Sequence, residues 1–166
     1  MGCGKSTIGR RVAGRIGYAF ADMDSMIEAE AGTDIAGIFA RSGEAVFREM
    51  ETALLAKFDP ADDMIIATGG GAPCSDRNIS LMKERGKVVY FRMSPANLFS
   101  RLDKGRRRRP KIAALDDRQL MNYIERTLSE RERFYSQASM TIDCDGISDE
   151  AIASYIRFYI ENACGR

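Results

Sequence analysis

A three-layer α/β/α domain built on a central parallel sheet is the fold class this sequence predicts, and three observations point to it. A glycine-rich turn, Gly2-Cys3-Gly4-Lys5-Ser6-Thr7, leads directly into a helical pattern. Short apolar runs such as Met64-Ile65-Ile66-Ala67-Thr68 carry the unbroken hydrophobicity of strands buried on both faces. Such runs alternate with helical segments along the whole chain of 166 residues, as βα units do around a parallel sheet.

Taken in order, residues 5–16 read as a helix leaving the glycine turn, 18–22 as a short strand and 25–31 as a helix. Residues 34–40 and 44–58 read as two helices parted at Gly43, and 64–68 as the buried strand that runs into Gly69-Gly70-Gly71. A helix over 75–85 precedes a strand over 87–92, and Pro95 opens the next helix, a position that suits proline. Residues 105–110 form a charged, irregular stretch. A long helix over 116–137, a strand over 140–144 and a closing helix over 148–163 complete the chain. No repeat and no linker interrupts residues 1–166, so one domain is expected.

Composition narrows the function classes. The chain is 45% apolar and 30% charged, an ordinary soluble balance, and its net charge of +1 offers no broad field for nucleic acid or membrane. No apolar run approaches the ~20 residues of a membrane span. The glycine turn and Lys5 stand where a signal peptide would need its apolar core, so a cytoplasmic location is expected. The cysteines Cys3, Cys74, Cys144 and Cys164 show no metal spacing and read as free thiols. The absence of histidine removes Ser-His hydrolysis, histidine base catalysis and histidine-bound zinc.

Successive amides of a glycine-rich turn converge on an anion, and the following helix adds its positive dipole end. In that setting Lys5 reaches the β- and γ-phosphates of a nucleotide, and the Ser6 hydroxyl ligates Mg²⁺. A plain turn with Ser6 or Thr7 capping the helix would leave Lys5 unexplained. The full pattern, G-x-x-x-x-G-K-[ST], also needs an earlier glycine and a preceding strand. Only Met1 stands before Gly2, so a short N-terminal piece carrying that strand is expected upstream of this sequence. The alternative is a natural chain with a shortened loop.

A transferred phosphate needs an acceptor. Asp22 and Asp24, expected at the end of the 18–22 strand, would share one face roughly 6–7 Å apart. One would sit near the metal and the other accept a hydroxyl proton, or both would cap a helix. Arg131 falls on the same helical stripe as Leu120, Ile124, Leu128 and Tyr135, so it pairs with a protein acid or faces an anionic ligand. Arg48, with Glu51 one turn on to hold it, is a second candidate for the same anion, or else sits in a structural ion pair. Gly69, Gly70 and Gly71 would let backbone approach a ligand closely. The run Arg106-Arg107-Arg108-Arg109 is either a solvated basic loop or a lid that brings an arginine onto the phosphates, with the choice of arginine open.

These residues together resemble the shikimate kinases of the P-loop class over nearly the whole chain. The motifs are Gly2 to Thr7, Asp22-Met23-Asp24, the G-E-x-x-F-R-x-x-E run from Gly43 to Glu51, Gly69-Gly70-Gly71-Ala72, Arg109-Pro110, and the E-R-x-x-x-Y run from Glu130 to Tyr135. The resemblance implies transfer of the γ-phosphoryl group of ATP to the 3-hydroxyl of shikimate, within aromatic amino-acid synthesis. It implies that Asp24 binds the hydroxyls and acts as, or orients, the base. Arg48 and Arg131 would hold the carboxylate, Glu51 would support Arg48, and Gly70 would lend backbone contact. Asp22 would lie near Mg²⁺ through water, Arg109 on the phosphates, and Arg101 near adenine. Phe39 and Phe47 would wall the substrate pocket. A helical substrate region over about 24–58, a mobile lid over about 104–115, and a monomer acting only on small molecules complete the expectation. Lys111 departs from the leucine more usual in the family after the Arg-Pro pair. The rivals are a gluconate or nucleoside monophosphate kinase, or a non-catalytic nucleotide-binding domain.

Overall fold

The computed structural model describes residues 2–109 and 111–163; Pro110 of the expected Arg-Pro pair and Cys164 lie outside the described residues. Helices and strands alternate: α1 (Lys5–Ile16), β1 (Ala19–Asp22), α2 (Met23–Ala31), α3 (Ile35–Lys57), β2 (Met64–Ala67), α4 (Asp76–Arg85), β3 (Val89–Arg92), α5 (Pro95–Asp103), α6 (Asp117–Tyr135), β4 (Met140–Asp143) and α7 (Asp149–Ala163). A 3₁₀ turn, Arg106–Arg108, adds order to the stretch read as irregular. Local chemistry sets the ends. Asp34, Ser75, Ser94 and Asp116 each cap a helix by accepting from a backbone amide three residues on, and Asp116 forms a full capping box with Gln119. Gly43 (φ 80°, ψ 172°) breaks α3 where the sequence places a division.

The strands pair in parallel, β1 with β2 and β3 with β4, in registers Phe20↔Ile65 and Phe91↔Ile142. Alternation along β2 explains the layering. Met64 and Ile66 pack on the cluster of Met23, Ile27, Phe47 and Leu54 from α2 and α3, while Ile65 packs on the α1 side. The second cluster joins Ile8, Val12, Leu102, Leu120, Ile124, Ile142 and Ile152, and α1 lies against α7. The expected single sheet is thus present as two parallel pairs. Between β2 and β3 lies an apolar cavity of about 280 Å³, lined by Ile65, Ala67, Val89, Phe91, Val12 and Ile156 among others.

Candidate active site

The phosphate loop comes first in the chain. Gly4 caps α1 in the left-handed region (φ 87°), a conformation that glycine adopts without steric penalty, and no side chain covers the first amides of the helix. Those open donors are what an anion binds. Lys5 Nζ curls back toward Cys3 Sγ at 3.8 Å. Ser6 Oγ donates to Asp22 Oδ2 at 2.5 Å. Gly2 packs against Leu102, Cys3 is buried, and Thr7 is exposed on the first turn. Arg101 lies beside Gly4, donates to the Cys3 carbonyl at 3.4 Å and faces Asp149 at 3.7 Å.

Asp24 corrects the strand reading of the Asp22–Asp24 pair. Asp22 ends β1, and its carboxylate accepts from the amides of Asp24 and Ser25, which starts α2 at Met23 and places Asp24 in the first helical turn. The two aspartates therefore divide their roles differently from two residues on one strand face. Asp22 caps the helix and holds Ser6. Asp24 is turned to the glycine loop after β2: a Cβ built on Gly69 would stand 2.9 Å from Asp24 Oδ1 and 3.0 Å from Glu51 Oε1. Burial, and then the charge of Asp22, raise the Asp24 carboxyl above its ordinary value, while Lys5 and Arg48 pull the other way.

Glu51 is 1% exposed, and Arg48 donates to it at 2.6 Å and to Glu44 at 2.6 Å. Burial lifts the Glu51 carboxyl above its usual range against the pull of Arg48. Glu44, at the surface, is lowered, first by the hydrogen bond from Arg48. A Cβ on Gly71 would meet the Arg48 guanidinium at 2.4 Å, so the loop needs glycine there for Arg48 to lie across it. Arg131 is half-buried and donates to the Tyr135 hydroxyl at 3.4 Å, and that hydroxyl donates to the Gly70 carbonyl at 2.6 Å. Asp24, Arg48, Glu51 and the Gly69–Gly71 loop are thus brought together, and Tyr135 ties Arg131 to the same loop.

Phe39 and Phe47 meet edge to face, their ring centroids 5.0 Å apart. Phe47, at 4% exposed, is core, and Phe39 is the half-buried member of the pair. Lys111 sits 4.7 Å over the Phe39 ring and 3.7 Å from Glu44, so it touches α3 on both sides of the break at Gly43. In the basic stretch, Arg106 is pinned: it bonds the Leu115 carbonyl, Asp117 and Asp103. Arg109 is exposed and donates to the Leu102 carbonyl at 3.2 Å, turned toward the end of α5 rather than onto the phosphate loop.

Several residues here escaped the sequence reading. Glu44 had a usable signal, four positions before Arg48 on a helix. Thr52 and Asn78 had none. Thr52 donates to Asn78 at 2.8 Å, and the buried Asn78 amide donates to the Ala72 carbonyl at 2.8 Å, which anchors the glycine loop to α3 and α4.

Fold and loop together define a P-loop phosphotransferase of the α/β class. The family model described as "SKI: Shikimate kinase" matches residues 1–161. A shikimate kinase of Geobacter sulfurreducens is 38% identical over 160 residues, covering 96% of this chain and 86% of the relative. The crystal structure of shikimate kinase from Bacteroides thetaiotaomicron superposes with a TM-score of 0.88 at 32% identity, covering 100% of this chain and 94% of that one. Shikimate kinase from Acinetobacter baumannii in complex with shikimate gives 0.85 at 30%, covering 98% and 89%. The chain belongs to the shikimate kinase family.

Proposed function

We propose that the protein transfers the γ-phosphoryl group of ATP to the 3-hydroxyl of shikimate, giving shikimate 3-phosphate and ADP. The observation that carries this reading is the convergence of Asp24, the Glu51-held Arg48 and the Gly69–Gly71 loop, in a family whose Acinetobacter baumannii member is a complex with shikimate.

In this reading Arg48 and Arg131 receive the ring carboxylate and the glycine loop lends backbone contact. Asp24 accepts the proton of the attacking hydroxyl, helped by its raised affinity for protons. The oxygen–phosphorus bond to the acceptor forms as the bond to the β–γ bridging oxygen breaks, and ADP leaves with the bridging oxygen. Lys5 offsets charge on the transferred group, and Arg109 joins it after releasing the Leu102 carbonyl. Arg101, already against the loop backbone, lies toward adenine, and Phe39 walls the pocket above buried Phe47. The Ser6 hydroxyl and Asp22 carboxylate form the oxygen-only donor pair that suits Mg²⁺, an ion held by few protein ligands plus substrate phosphates and water. Bound there, the ion would offset phosphate charge. Among the described residues no group of three or more acidic or thiol side chains forms a metal cage of its own. We further propose one domain, with a substrate-binding helical region over about 24–58 and a lid over about 104–115. It acts in the cytoplasm as a monomer on small molecules, without nucleic-acid or membrane partners.

A coupled ADP-release assay over shikimate, gluconate and nucleoside monophosphates tests the reading. ADP release that depends on shikimate is expected. Release with another acceptor and none with shikimate would overturn it.

A further inference from the structure

We propose that Tyr135 is a positioning residue that aims Arg131 at the acceptor's carboxylate without neutralising it, a role that rests on the shikimate reading above. The two arginines are held in different ways. Arg48 lies between two carboxylates, Glu44 and Glu51. Arg131, among the described residues, forms no ion pair, Glu51 feels its charge only at longer range, and its hydrogen-bond partner is the uncharged Tyr135 phenol. A carboxylate in that place would also fix the guanidinium, but it would cancel the charge that an anionic ligand needs. A phenol fixes it and leaves the charge intact.

Hydrogen-bond accounting gives the phenol a single orientation. The Gly70 carbonyl can only accept, so at 2.6 Å it takes the one hydroxyl proton of Tyr135. An oxygen lone pair then remains for Arg131, the donor 3.4 Å away. The Tyr90 ring, 4.8 Å from that of Tyr135, holds the ring in place. Burial raises the Tyr135 pKa, so the phenol keeps its proton, directed at the Gly70 carbonyl, through the neutral range. One oxygen atom thus sets the register between α6, which carries Arg131, and the glycine loop, which Arg48 overlies.

Tyr135→Phe keeps the ring and removes only the hydroxyl. With the full chain, the KM for shikimate should rise about tenfold, while kcat and the KM for ATP stay within about twofold. Preference for shikimate over an analogue bearing a neutral hydroxymethyl in place of the carboxylate should narrow by the same factor. In an Arg131→Ala background, Tyr135→Phe should add nothing further to the KM for shikimate, because its effect passes through Arg131. Equal weakening of both acceptors, or full additivity with Arg131→Ala, would show a merely structural role and overturn the proposal. Should the unmodified chain release ADP with another acceptor and none with shikimate, the function reading falls and this role with it. An unmodified chain that turns over shikimate beside an unchanged Tyr135→Phe would remove this role alone.

Discussion

The acceptor pocket is tied together by side chains from three helices, whereas the phosphate loop stands on one helix cap beside a cavity. Around the glycine loop, Asn78 holds the Ala72 carbonyl, Thr52 holds Asn78, Tyr135 holds the Gly70 carbonyl and Arg48 is locked to Glu51. At the other end, Gly4 caps α1 with no side-chain hydrogen bond, and the Lys5–Cys3 and Arg101–Cys3 contacts are long. Ser6 on Asp22 is the short bond there. Each arrangement suits what its region is proposed to bind. A rigid carbocyclic acid rewards donors and acceptors fixed in advance, because ordering them on binding would cost affinity. A phosphate chain is gripped by amides that must stay unpaired until it arrives.

The sharpest way to break this comparison is at Asp24, the group proposed to take the acceptor's proton. Asp24→Asn should lower kcat with shikimate by about 10²–10⁴-fold while the Kd for ATP stays within twofold. Steady-state kinetics beside nucleotide titration reads both. The pH profile carries a sign as well. A carboxyl with raised pKa takes up its proton earlier as pH falls, so the acid limb of kcat/KM should lie above the ordinary aspartate range. Glu51 is raised too and faces the same space. The limb should survive Glu51→Gln and vanish in Asp24→Asn; the opposite pattern would move the base to Glu51.

Much of the fold is legible in the sequence. The β2 run, the break at Gly43, the proline opening α5 and the stripe of α6 depend on local pattern, and each element lies within a few residues of its expected place. The lysine, arginines and glycines of the site carry sequence spacings that only a few architectures satisfy. Asp24 was misplaced for an equally local reason. The strand ends at Asp22 as expected, but carrying its two-residue spacing on to Asp24 overlooks that Asp22 starts a helix there by accepting from the amides of Asp24 and Ser25. The Thr52–Asn78–Ala72 chain was invisible because its members meet across 26 positions with no periodic signature. The neutral partner of Arg131 was hidden in plain view, since Tyr135 reads as one more apolar member of a stripe.

The two arginines offer the next test, because one is locked in an acid pair and the other is open. Arg131→Ala should raise the KM for shikimate about 10²-fold, with little change in the KM for ATP and a small change in stability. Arg48→Ala should also weaken shikimate, but it leaves Glu51 buried without its counter-charge, and stability should fall by about 3–5 kcal/mol. Urea denaturation of both variants beside steady-state kinetics makes the measurement. A larger stability loss in Arg131→Ala than in Arg48→Ala would show that the open cation is the structural one and reverse the assignment.

The smallest effect lies in the backbone beside the loop. In a parallel strand the amides point alternately to either neighbour. Those of β2 that point to β1, and those of β3 that point to β4, are laddered. Their alternates face the cavity between the pairs, where no strand stands among the described residues. Residue-resolved hydrogen exchange on the protein of this sequence should therefore show a two-residue alternation in β2 and β3, slow and fast amides differing by at least about tenfold. The amides of Ala72 and Cys74, bonded to the Gly69 and Gly71 carbonyls, should exchange with the slow set, as befits the braced acceptor loop. Uniform protection along β2 and β3 would mean that both edges of each strand are paired in solution.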